Sequence, residues 1–64
     1  MMLVKLRNSD DSLIFVNPFA VQTITKENET ESRIAFCIGE YSEIVVKGDL
    51  ETVVDKINGG SWLR

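Results

Sequence analysis

A single cysteine, Cys37, and no histidine in a chain of 64 residues leave this sequence without the usual staples of a small fold. One thiol cannot close an internal disulfide. Structural zinc prefers thiolate and imidazole ligands, so a zinc site is not expected. A chain this short buries only about 60% of the surface its unfolded form exposes. Its fold must rest on a regular core or on association with another chain. Closed symmetric homo-oligomers are common, which makes a homodimer a candidate state.

The apolar pattern says how such a core is built. Met2, Val4 and Leu6 alternate with Leu3, Lys5 and Arg7, the period of a half-buried strand. Asn8-Ser9-Asp10-Asp11 reads as a turn, and Leu13 to Val16 as a second strand paired with the first. Asn17-Pro18 stops that strand, since proline cannot donate to a ladder. Asn17 is also a good cap and Pro18 a good first helical residue, so one helical turn is expected over Pro18-Phe19-Ala20. A third strand runs from about Val21 to Glu27. The polar stretch from Glu27 to Ser32 forms the tip of a second hairpin.

The fourth strand, Arg33 to Ile38, turns Ile34, Phe36 and Ile38 to one face and Arg33, Ala35 and Cys37 to the other. After a Gly39-Glu40 turn the fifth, Tyr41 to Lys47, points Ile44 and Val46 inward and Val45 outward. Asp49 caps a helix of about nine residues whose Leu50, Val53, Val54 and Ile57 form one apolar stripe. Gly59 supplies its left-handed stop. So short a helix is marginal alone and needs the sheet. Strands followed by one helix indicate α+β. The expected architecture is a small antiparallel β-sheet of about five strands followed by one C-terminal helix packed on one face. It is a single domain over residues 1–60, with residues 61–64 as a tail that is ordered only if Trp62 docks.

Catalytic chemistry is scarce. Without histidine, acid–base work would fall to carboxylates, and the densest set is Glu27, Glu29 and Glu31. These read as a solvated hairpin tip. Cys37 has no cationic neighbour that must stabilise a thiolate, and reads as a small buried or interfacial residue. Gly48 opens the helix, but Asp49 beside it repels phosphate. No catalytic, cofactor-binding or metal-ligating residue is assigned, and no enzyme is expected. The Met1-Met2-Leu3-Val4 run is cut short by Lys5 and Arg7, and no apolar run approaches the roughly 20 residues of a spanning helix. A cytoplasmic protein away from membranes is expected.

The net charge is −3, and the seven basic residues are scattered singly. A nucleic-acid surface would gather them and set aromatics beside them. Phe36 belongs to the core stripe, and the other aromatics lack basic flanks. The second face of the sheet is more telling. Leu13 and Phe15, Ile14 and Val16 make strand two apolar on both sides, and Ala35, Cys37 and Val45 also face outward. Such a face is either an interface or is covered by loops and the tail.

The chain resembles the small FlbD-type proteins of bacterial flagellar gene clusters. The resemblance lies in Val4-Lys5-Leu6, Val16-Asn17-Pro18, Val21 to Ile24, Ile34-Ala35-Phe36, Val45-Val46-Lys47 and Val53 to Ile57. It covers about residues 2 to 57 and implies a small cytoplasmic accessory or regulatory protein. The acidic Asp10-Asp11 turn, the polar third turn and the Trp62 tail depart from it, leaving a small phage or mobile-element protein open. The leading functional reading is a non-enzymatic protein-interaction or regulatory module with a protein partner or a second copy of itself. Its contact surface would be Leu13, Phe15, Phe19, Tyr41 and Trp62. Two alternatives stand: a nucleic-acid-binding regulator gathering Lys5, Arg7, Arg33 and Lys47, and a decoy presenting Glu27, Glu29 and Glu31 to a basic site on a host protein.

Overall fold

The computed structural model describes residues 2–37 and 42–59. Five antiparallel strands and one helix follow in chain order: β1 (Val4–Arg7), β2 (Leu13–Val16), β3 (Val21–Asn28), β4 (Glu31–Phe36), β5 (Glu43–Lys47) and α1 (Leu50–Ile57). A 3-10 turn, Pro18–Ala20, joins β2 to β3, with the Asn17 side chain accepting from the Phe19 N–H at 3.0 Å. The α+β class is the one expected. The ends expected at Ile38 and Tyr41, the Gly39-Glu40 turn between them and the Trp62 tail lie outside the described residues.

The expected single sheet is instead two. β1 pairs with β2, and β3-β4-β5 form a separate three-stranded sheet. Among the described residues one isolated backbone bridge links them, Asn8 to Val46, beside a Ser9 N–H to Val45 carbonyl bond of 3.0 Å. Extending that register by one residue would set Arg7 directly opposite Lys47. Like charges so placed destabilise a ladder. The strands part at that point, and Asp11 stands between the two cations. Its carbonyl accepts from Arg7 at 2.9 Å and its carboxylate from Lys47 Nζ at 3.1 Å.

The core draws one side chain from nearly every element: Leu6, Val16, Ile34, Val46 and Val53. Within the expected helix stripe, Val53 alone is fully buried, while Leu50, Val54 and Ile57 are half-buried. Val21 and Ile24 also pack against this core although they are three residues apart. Strict alternation would send one of them outward. A register shift between Val21 and Thr23 corrects the phase, as a bulge does.

The second hairpin is tighter than a six-residue tip. Asn28 pairs with Glu31, leaving Glu29 and Thr30 as the turn. The Asn28 side-chain oxygen accepts from the Thr30 N–H at 2.9 Å, which closes the turn locally. Ser32 thereby becomes an inward strand residue and is fully buried. Its hydroxyl donates to the Gly48 carbonyl at 2.8 Å, while the Gly48 N–H donates to the Thr30 carbonyl at 2.8 Å. Gly48 holds φ +122°, where a Cβ would also lie 3.0 Å from Val53 Cγ2. The junction between β5 and α1 is thus clamped to the start of β4. Asp49 caps the helix and Gly59, at φ 80°, follows its end.

Candidate functional site

The two sheets present opposite kinds of outer surface. On the three-stranded sheet, Arg33 donates from Nε to Glu27 at 2.9 Å and from a terminal nitrogen to Glu43 at 2.9 Å. Those hydrogen bonds, first to Glu27 and then to Glu43, hold the guanidinium more basic than usual. Thr23 and Thr25 stand exposed beside them. Ala35 and Val45 lie among these polar groups and are half-buried. Cys37 is an exposed free thiol, which removes the buried option for it. The expected greasy reverse side does not extend across this sheet.

It is found on the hairpin. Leu13 is 48% exposed and Phe15 56%, two residues apart on the outward face of β2. Phe19, on the 3-10 turn, is 84% exposed. Met2 and Leu3 are exposed as well, so the large exposed apolar side chains among the described residues all fall within the first 19 positions. Phe19 does not join Leu13 and Phe15. It lines a separate apolar groove of about 560 Å³ with Met2, Val4, Pro18 and Ile57. Tyr41 and Trp62, the other two expected contact residues, lie outside the described residues.

The hairpin register gives these apolar residues charged neighbours. Lys5 lies opposite Phe15 and Arg7 opposite Leu13. The flanks missing along the sequence are supplied across the strand pair. Where β1 and β5 part, a cleft of about 320 Å³ opens, lined by Lys5, Arg7, Lys47 and Lys56 with Leu6 and Leu13. Lys56 reaches it from α1 and also borders the apolar groove. Three of the four cations named for a nucleic-acid surface therefore do converge. Arg33 remains on the ion-paired sheet. Sequence inspection missed Lys56 and the cleft, because its cations come from positions 5, 7, 47 and 56 on three different elements.

The acidic tip makes a poorer site. Glu27 is bound to Arg33, Glu29 to Lys26 at 2.7 Å, and Glu31 accepts from the Asn28 amide at 2.8 Å. Each carboxylate is held by a different local partner, so the three do not converge on one ligand. Among the described residues no group of three or more carboxylate and cysteine side chains is placed to hold a metal ion. Among them also, no helix is long and apolar enough to cross a membrane. No protein-family model, curated protein or solved structure matches this chain.

Proposed function

We propose that this chain is a non-enzymatic protein-interaction module of the cytoplasm that docks through the outward face of its N-terminal hairpin. The observation carrying this reading is the pairing of half-exposed Leu13 and Phe15 with Arg7 and Lys5 across β1 and β2. Apolar side chains that stay in water and are rimmed by charge have the composition of a contact surface. A 64-residue chain also has few apolar side chains to leave outside its core. The occupant is a protein, either a second copy of this chain or another molecule. The resemblance to the FlbD-type flagellar proteins favours an accessory or regulatory role of that kind.

A photo-crosslinking side chain placed at Phe15, and separately at Thr25 on the ion-paired sheet, tests this in the native host. The Phe15 position should give a discrete adduct and the Thr25 position none. An adduct of twice the chain mass identifies a homodimer, and any other discrete mass a different partner. Equal labelling from both positions, or none from Phe15, overturns the reading.

The nucleic-acid reading has one observation in its favour, the convergence of Lys5, Arg7 and Lys47 at the cleft. The decoy reading has none, since Glu27, Glu29 and Glu31 are held by separate local partners.

A further inference from the structure

The cleft between the two sheets has a chemistry of its own. Among the described residues, the edge of β1 turned away from β2 meets another strand only at the Asn8–Val46 bridge. Beyond that bridge, no strand pairing other than the one with β2 reaches Val4, Lys5 or Leu6 among the described residues. An unpaired strand edge offers its amides and carbonyls to another chain's backbone. Here that edge runs beside four of the chain's seven basic residues. Among the described residues one ion pair reaches them, Asp11 to Lys47, with Glu31 across the ladder from Lys47.

We propose that this cleft receives an extended acidic segment of a partner protein, added as a strand along the open edge of β1. Carboxylates on alternate residues of the segment meet Lys5, Arg7, Lys47 and Lys56. The inference rests on the protein-interaction reading and names the chemistry of the partner. Two features favour a polypeptide over a nucleic-acid strand. The strand edge recognises peptide groups, which a phosphate backbone lacks. The molecule measures only 30 × 27 × 19 Å and carries ten acidic residues, so a polyanion longer than the cleft would run against carboxylates, beginning with Glu31, which lies opposite Lys47 on β4. Charges within about 8 Å are the ones felt at physiological salt, which suits a short acidic segment seated among these cations.

The test is a two-dimensional amide NMR titration of the labelled full chain with a short blocked peptide alternating Val and Glu. A Val/Gln counterpart and an oligothymidylate serve as the other probes. The Val/Glu peptide should shift the amides of Lys5, Leu6, Arg7, Lys47 and Gly48, and added salt should weaken the effect. Lys5 and Lys56 make no ion pair among the described residues, so K5Q/K56Q should fold normally. Its affinity should fall on the order of tenfold, the reach of two exposed charge pairs. D11N keeps a residue type that tolerates the φ of 75° at this position and removes the competing carboxylate. It should bind roughly two- to fivefold tighter.

The inference is overturned if millimolar Val/Glu peptide shifts nothing, shifts only the β3–β5 sheet, or binds no better than Val/Gln. Shifts of the same residues by oligothymidylate alone overturn it in favour of nucleic acid. A discrete crosslink from Phe15 alongside a failed titration would leave the docking reading standing and remove this one alone.

Discussion

Replacing Ser32 with alanine should destabilise the fold far more than its polarity suggests. Ser32 is 0% exposed and its hydroxyl donates to the Gly48 carbonyl at 2.8 Å. Losing that bond costs about 1 kcal/mol net, and an acceptor left without a partner adds to it. Gly48 is only half-buried, so water can replace part of the bond. The expected loss is about 1–2 kcal/mol. A 64-residue domain has only roughly 3–10 kcal/mol in all. At about 4–8 °C per kcal/mol, Tm should fall by roughly 5–15 °C. Urea unfolding followed by far-ultraviolet circular dichroism measures this directly. Exposed Ser9, mutated to alanine as a reference, should stay within about 0.5 kcal/mol. Under reducing conditions S32C separates the hydrogen bond from the void, because a thiol fills similar space but donates weakly. If S32A lies within about 0.3 kcal/mol of the parent, or S32C restores full stability, the account of the β4–Gly48 clamp is wrong.

Two further perturbations follow from the same junction and from the caps. G48A forces a side chain into φ +122° and against Val53 Cγ2, and should cost of order 1–3 kcal/mol by urea unfolding; a neutral result would mean that the junction relaxes freely. Asp10 is held below the ordinary aspartate value of 3.8 by the Ser12 hydroxyl and then its N–H, and Asp49 likewise by Thr52, first its side chain and then its N–H. A folded pKa below the unfolded one means the unfolded chain takes up the proton first as pH falls. The stabilisation is therefore complete above the ordinary range and is lost in acid as pH falls through the folded values. Stability should be level above about pH 5 and decline below it, and D10N/D49N should flatten that decline. Superimposable acid limbs would contradict it.

What could be read from the chain was whatever is decided by near neighbours. Asn17-Pro18 stops β2 and starts a turn through local geometry, and the same turn stands in the structure. Asp49 and Gly59 bracket α1 for the same reason. Ser32 was misplaced because its burial depends on a two-residue turn set by the Asn28 side chain within a uniformly polar stretch. The bulge that brings Val21 and Ile24 to one core breaks the periodicity from which strands are read. The separation into two sheets depends on which strands abut, and a linear pattern does not show that Arg7 would face Lys47. The cleft was hidden for a related reason. Basic residues counted along the chain look scattered, and only the fold brings positions 5, 7, 47 and 56 together.

The open edge is costly in a small domain, since it forgoes ladder bonds that β1 and β5 are already aligned to make. A residue that suits a strand and carries no charge at position 7 should let the Asn8–Val46 bridge extend. R7T supplies one. It removes the cation that would face Lys47 and loses an exposed side-chain bond to the Asp11 carbonyl. Like-charge opposition across strands is worth roughly 0.2–1 kcal/mol, and such an exposed bond is worth little, so the variant should be as stable as the parent or more so. Cross-strand proton contacts should appear beyond the present bridge, between residues 6 and 48, and amide exchange along β1 should slow. The same variant should lose more affinity for the acidic peptide than K5Q does, because it removes one cation and also closes the slot for an added strand. Greater stability with weaker binding is the signature of an edge kept open for use. If the strands stay apart in R7T, the clamp that Thr30 and Ser32 place on Gly48, and not charge, separates the sheets, and the cleft is a by-product of how the helix is attached.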